Sequence, residues 1–119
     1  MSLKIYQYAK CSTCRKALQF LEAHSIEHTA IPIREQPPSK TELKMMLEAY
    51  DGEIKKLFNT SGMDYRALGI KDQLPSMSNA QAIELLSGNG NLIKRPFVVS
   101  KSRMLVGFKE DVWSQAFEV

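Results

Sequence analysis

Two kinds of hydrophobic spacing alternate along the first third of this chain. Apolar and polar residues alternate over residues 3–8 and 27–33, and both segments are rich in β-formers, which predicts two strands. Between them the apolar residues recur at helical spacing, which predicts a helix from residue 12 or 13 to residue 23, capped by a small hydroxyl residue. A strand, a helix and a strand within about 30 residues form a βαβ unit with parallel strands.

The middle of the chain is predicted to be helical, and the end to return to strands. Ser39 with Glu42 and Ser78 with Gln81 have the spacing of capping boxes, which predicts a helix after each serine. The first of these helices is expected to end at Asp51-Gly52. Further apolar spacing predicts short helical segments at 53–59 and 64–68, a hairpin of strands at 97–99 and 104–106, and a last helix at 110–117.

This order of elements, β-α-β, a helical insertion and β-β-α, is typical of an α/β thioredoxin-like fold with a mixed sheet. Its first two strands are parallel and its last two form a hairpin. A length of 119 residues suits one domain, so we expect a single thioredoxin-like domain over residues 1–119.

Composition narrows the class of protein. Hydrophobic residues make up 44% and charged residues 24% of the chain, which argues against disorder, collagen and coiled coil. No apolar run is long enough to span a bilayer, and the N-terminus lacks a signal-peptide pattern, so we expect a cytoplasmic protein without membrane contact. The net charge of +3 is scattered rather than gathered into a basic stripe, which argues against direct binding of nucleic acid.

The two cysteines of the chain lie in one Cys-x-x-Cys motif at the predicted start of the first helix. The loop that they would close is too short to stabilise a fold, so the pair indicates a reactive site. Cys11 is expected to face the helix N-terminus, where unpaired N–H groups and the flanking Lys10 and Arg15 favour a thiolate. Cys14 lies one turn further in. We therefore predict Cys11 as the nucleophile and Cys14 as the resolving thiol.

Two other interpretations of the motif stay open at this point. The pair could be half of a zinc site, but only His24 and His28 could complete the ligands, and their positions do not suit it. The cysteines could also be two small buried hydrophobic residues. The βαβ context favours redox chemistry, with no metal and no resident cofactor.

Arg95-Pro96 is the second candidate feature. In thioredoxin-like folds a cis-proline begins the strand that faces the active cysteine, and Pro96 directly precedes a predicted strand. Arg95 would then lie near the sulfur, where it could bind an anionic substrate or stabilise a thiolate. The alternative is a solvated arginine at a strand edge.

With these motifs the chain resembles the ArsC/Spx family of thioredoxin-fold proteins. The resemblance is carried by residues 8–17 (YAKCSTCRKA), 57–62 (LFNTSG), 65–69 (YRALG), 92–96 (LIKRP) and 106–108 (VGF). The family includes glutaredoxin-dependent arsenate reductases and Spx-type regulators that bind RNA polymerase. Membership implies a thiol-based protein that works with an external reductant such as glutaredoxin with glutathione, or thioredoxin.

For an arsenate reductase, the resemblance implies that Cys11 is the cysteine that attacks arsenate and that Arg95 is one of three arginines that hold the oxyanion. Asn59 and Gly107 stand where the other two arginines are expected. Losing two charge-assisted donors weakens oxyanion binding by several kcal/mol. We therefore expect arsenate to be a poor substrate.

For an Spx-type regulator, the resemblance implies that Cys11 and Cys14 form a redox switch. It also implies that Gly52 corresponds to a glycine that contacts the α subunit of RNA polymerase. The alternative is that Asp51-Gly52 simply ends a helix. The favoured function is thus a thiol oxidoreductase, and a redox-sensing regulator is the alternative.

Overall fold

The computed structural model of this chain describes residues 3–101 and 103–119. Six α-helices, four strands and three 3-10 segments are formed in these residues. In chain order they are β1 (Leu3–Gln7), α1 (Ser12–Ala23), β2 (His28–Pro32), α2 (Lys40–Ala49), a 3-10 segment (Ile54–Leu57), α3 (Met63–Ala67), α4 (Ile70–Gln73), a 3-10 segment (Leu74–Ser76), α5 (Asn79–Ser87), a 3-10 segment (Gly90–Leu92), β3 (Phe97–Val99), β4 (Met104–Val106) and α6 (Glu110–Phe117).

The chain divides into two compact units. The sheet unit comprises the described part of residues 1–32 and 95–119, and the helical unit comprises residues 33–94. The expected order of β-α-β, helical insertion and β-β-α is therefore present, while a single domain over residues 1–119 stays a prediction. None of the helices in the described residues is long and apolar enough to cross a bilayer.

The sheet unit contains a four-stranded mixed sheet in the order β2-β1-β3-β4. β1 pairs in parallel with β2 and antiparallel with β3, and β3 pairs antiparallel with β4, so the predicted α/β fold class is confirmed. β1 lies between two neighbours, and its Ile5 has no exposed surface. The end of this inner strand leads directly to α1.

Aromatic and aliphatic side chains fix α1 and α6 in the core of the sheet unit. The Phe20 ring of α1 meets the Trp113 ring of α6 edge to face at a centroid distance of 5.7 Å. The Trp113 indole N–H donates a hydrogen bond to the Gly107 carbonyl, so a buried polar atom is satisfied. The cluster is completed by buried apolar residues of α1 and three strands: Leu3, Ile5, Ala17, Leu21, Val98 and Leu105.

In the helical unit, both predicted capping boxes are formed. The Ser39 hydroxyl accepts from the Glu42 N–H at 3.1 Å, while the Glu42 carboxylate accepts from the Ser39 N–H at 3.0 Å. Ser78 and Gln81 make the same exchange at the start of α5. These reciprocal bonds satisfy N–H groups that have no partner inside the helix.

Two differences from the sequence expectations concern the α-helices. The cap of α1 is Cys11 and not a hydroxyl residue, because its sulfur accepts the hydrogen bond that a hydroxyl oxygen would take. α4 was not predicted. It begins after Gly69, whose φ of +63° turns the chain out of α3, and a helix of four residues is too short to show a hydrophobic period.

Gly90 provides a stability test within the helical unit. A Cβ at Gly90 would lie 2.0 Å from the Ile33 carbonyl oxygen and 3.0 Å from the Arg34 Cα, both of which are backbone atoms. We expect Gly90→Ala to lower the free energy of unfolding by about 1–3 kcal/mol or more, because the two segments must move apart. Gly88→Ala is the matched control, since its Cβ would find no heavy atom closer than 3.7 Å.

Chemical denaturation of both variants checks this expectation. The free energy of unfolding of Gly88→Ala should lie within about 0.5 kcal/mol of that of the natural sequence, or slightly above it. Equal stabilities for the two variants would show that the close approach of residue 90 to Ile33 is absent in solution.

Candidate functional site

The two cysteines lie at the N-terminus of α1, where they are joined through the backbone. Cys11 is the N-cap residue, with φ −92° and ψ 117°, and its Sγ accepts a hydrogen bond from the Cys14 N–H at 3.4 Å. The Cys11 carbonyl accepts the first helical bond, from the Arg15 N–H at 3.0 Å. Cys11 is half-buried, and Cys14 has no exposed surface. The more exposed sulfur is therefore that of Cys11, which lies at the helix N-terminus.

The pKa of Cys11 lies below its ordinary value. Burial acts to raise this pKa, but hydrogen bonds from the Cys14 side chain and backbone act against it. The positive charge of Arg95 and a hydrogen bond from its side chain add to the lowering. These groups all stabilise the anion and have little interaction with the neutral thiol, so Cys11 is favoured as a thiolate.

The pKa of Cys14 moves in the opposite direction. Burial raises the pKa of Cys14 to about 12, and the neighbouring Cys11 sulfur raises it further. A backbone hydrogen bond from Tyr8 and the charge of Arg95 oppose this rise. The two environments therefore favour the thiolate on Cys11 and the protonated thiol on Cys14.

Arg95 belongs to the sheet unit, as the two cysteines do, and Pro96 separates it from the first residue of β3. The Arg95–Pro96 peptide bond is cis, as the sequence analysis predicted. The guanidinium carbon lies 4.9 Å from the centre of the Tyr8 ring. Its Nη1 atom is buried and has no hydrogen-bond partner among the described residues. Arg95 is thus not a solvated arginine at a strand edge, because its guanidinium is partly buried, stacks on Tyr8 and lowers the pKa of Cys11.

The other sequence candidates are placed differently. Lys10 and Arg15 are exposed, and the groups that lower the pKa of Cys11 belong to Cys14 and Arg95. Gly52 lies in the helical unit. Its N–H donates to the Leu47 carbonyl at 2.9 Å with φ +80°, which is a Schellman ending of α2 and accounts for the glycine.

Gly107 has a structural reason to be glycine. Its φ is +73°, its N–H donates to the Pro96 carbonyl at 2.9 Å, and its carbonyl accepts from Trp113. An arginine at this position would be strained in the left-handed conformation. The turn after β4 therefore disfavours the arginine that the resemblance to arsenate reductases leads one to expect.

Tyr8 is the residue that sequence reasoning missed. It directly follows β1, its carbonyl accepts from the Cys11 N–H at 3.0 Å, and its ring lies against Arg95. The sequence feature that could have indicated Tyr8 is its position three residues before Cys11. Within the described residues, no group of three or more His, Cys, Asp or Glu side chains is arranged to hold a metal ion.

Comparisons with known proteins agree with this architecture. The Bacillus subtilis protein YusI is 50% identical over 115 residues, which cover 97% of this chain and 98% of YusI. The global transcriptional regulator Spx of Listeria innocua is 30% identical over 107 residues, which cover 90% of this chain and 80% of Spx.

A solved structure is also similar over almost the whole chain. It is that of a Streptococcus mutans protein described as a "possible arsenate reductase", with a TM-score of 0.85 and 42% identity, covering 92% of this chain and 96% of that one. A sequence model described as "ArsC family" matches residues 6–116. On the fold, the placement of the cysteines and these matches, the chain belongs to the ArsC family.

Proposed function

We propose that this protein is a thiol-based oxidoreductase in which Cys11 and Cys14 cycle between a dithiol and a disulfide. One observation carries the proposal: two hydrogen-bonded cysteines at a helix N-terminus have pKa values that move in opposite directions. Membership of the ArsC family, with Spx among the relatives, supports a thiol-based redox protein or an Spx-like regulator.

The proposed first step is nucleophilic attack by the Cys11 thiolate on an oxidised substrate. With a disulfide as substrate, the new bond joins Cys11 to one substrate sulfur, the substrate S–S bond breaks, and the second sulfur leaves as a thiolate. Arg95 would stabilise the thiolate before attack, and its guanidinium would attract an anionic group of the substrate. Lys10 and Arg15 would supply weaker, solvent-screened positive charge.

The proposed second step is attack by Cys14 on the bonded Cys11 sulfur. Once Cys11 has reacted, its negative charge is gone, and one cause of the raised pKa of Cys14 goes with it. The Tyr8 backbone hydrogen bond then favours a Cys14 thiolate. The Cys11–Cys14 disulfide forms, and the bound substrate half leaves as a thiol. Two electrons have passed from the dithiol to the substrate, and an external thiol reductant such as glutaredoxin or thioredoxin would return them.

The second candidate function is a redox-sensing regulator of the Spx type, and the observation that favours it is the Spx relative at 30% identity. In that case the same disulfide would change binding to the α subunit of RNA polymerase, with Gly52 as the contact. Gly52 is exposed, and a Cβ added there would meet nothing within 4 Å, so its surface is accessible. The enzyme turns over with a reductant and a small oxidant, whereas the regulator binds the polymerase α C-terminal domain without turnover.

The assignment of roles predicts unequal reactivity of the two thiols. In Cys14→Ser, Cys11 should react with iodoacetamide about 10-fold or more faster at pH 7 than Cys14 does in Cys11→Ser. Burial still raises the pKa of Cys14 when the Cys11 sulfur is absent, and Arg95 still lowers the pKa of Cys11. The lower nucleophilicity of the more acidic thiol removes part of the difference. Alkylation rates from pH 5 to 10 measure it. A faster reaction of Cys14 would reverse the two roles.

The redox cycle predicts a reversible intramolecular disulfide. After treatment with a mild oxidant, the number of free thiols per chain should fall from two to zero, and dithiothreitol should restore both. The oxidised chain should stay monomeric on a non-reducing gel. Cys11→Ser and Cys14→Ser are the matched controls, because neither can close the ring. Two free thiols after oxidation of the natural sequence would contradict the proposal.

The missing arginines predict weak reduction of arsenate. Each lost charge-assisted contact weakens binding by about 1.5–3 kcal/mol, so two lower kcat/KM by about 10²- to 10⁴-fold. We expect kcat/KM below about 10⁴ M⁻¹s⁻¹ with glutaredoxin and glutathione supplied. Steady-state assays of the natural sequence and Arg95→Ala test this expectation. Robust turnover that Arg95→Ala abolishes would establish the protein as an arsenate reductase.

A further inference from the structure

The Arg95 guanidinium is held by an aromatic ring. Its carbon lies 4.9 Å from the centre of the Tyr8 ring, within the range of a cation–π contact. One of its nitrogens, Nη1, is buried without a hydrogen-bond partner among the described residues. Stacking on the Tyr8 ring therefore orients the guanidinium of this partly buried arginine, although Nη1 has no hydrogen-bond acceptor.

A ring has an electrostatic consequence that a carboxylate would not have. An Asp or Glu beside Arg95 would orient the guanidinium but would neutralise its charge, and the effect on Cys11 would fall. An aromatic face attracts the cation and carries no net charge. Stacking therefore fixes the direction of the guanidinium and leaves its charge available to the sulfur.

Tyr8 is itself fixed by the elements around the cysteines. It follows the last residue of β1, one of the two inner strands of the sheet, and its carbonyl accepts from the Cys11 N–H at 3.0 Å. Its backbone also hydrogen-bonds to Cys14. The backbone of Tyr8 is thus fixed by the sheet and by the cysteine loop, independently of Arg95.

We propose that Tyr8 is a positioning residue whose ring holds the Arg95 guanidinium against the Cys11 sulfur. The proposal rests on the proposed function in one respect, namely that Cys11 is the attacking thiol. Tyr8 acts here through Arg95 and needs no contact with the substrate.

The test measures the thiolate of Cys11 directly. The midpoint of the iodoacetamide pH–rate profile is compared in a Cys14→Ser background, so that only Cys11 reacts. Tyr8→Leu should raise this midpoint by about half a unit to one unit, because the guanidinium loses its support. Tyr8→Phe and Tyr8→Trp keep a ring and should stay near the parent value. Arg95→Met should give a rise at least as large as that of Tyr8→Leu.

The double variant separates positioning from packing. In the Arg95→Met background, Tyr8→Leu should raise the midpoint no further, because the charge that Tyr8 positions is already absent. An equal further rise, or an unchanged midpoint in a folded Tyr8→Leu, would overturn the proposal. A rise in Tyr8→Phe equal to that in Tyr8→Leu would also overturn it, since the ring is kept.

Circular dichroism and melting curves confirm that each variant is folded, and Tyr8→Met replaces Tyr8→Leu if the latter does not fold. The readout requires no oxidant, reductant or substrate. A protein that forms no disulfide would contradict the proposed function but would leave this titration interpretable. An unchanged titration would contradict the role of Tyr8 and leave the disulfide unaffected.

Discussion

Cys11 caps α1 with its own sulfur, and the chemistry of the site depends on that bond. A capping atom must accept hydrogen bonds from the N–H groups of the first turn, and the Cys14 N–H is the donor here at 3.4 Å. A sulfur at this position is a better hydrogen-bond acceptor as a thiolate than as a thiol. The hydrogen bond that caps the helix therefore also stabilises the thiolate form of Cys11. Formation of the helix thereby contributes to activation of the cysteine.

Burial then gives the two cysteines different roles. The same loss of solvent acts to raise both pKa values, but only Cys11 has enough hydrogen bonds and positive charge to overcome it. Cys14 is buried in the helix face, and its pKa is raised. In the proposed cycle, this difference of environment across one helical turn would separate the attacking thiol from the resolving one.

Gly107 and Arg95 account for how this chain differs from an arginine-rich oxyanion site. Gly107 is held at φ +73° by the turn after β4 and by bonds to Pro96 and Trp113, so an arginine there would disturb the core of the sheet unit. Arg95 stacks on Tyr8. The positive charge that lowers the pKa of Cys11 therefore comes from one arginine.

The sequence by itself determined the order of the elements, the capping boxes and the reactive motif, because these depend on local spacing: period two in β1, period 3.6 in α1 and a serine three residues before Glu42 or Gln81. It also predicted Pro96 as a cis-proline near Cys11. Only the tertiary structure decided that Cys11 itself caps α1, that Arg95 rather than the exposed Lys10 and Arg15 acts on its pKa, and that Tyr8 supports Arg95. The reason is that charge and stacking act through space over a few ångströms, and residues 8 and 95 are brought together only when β1 pairs with β3.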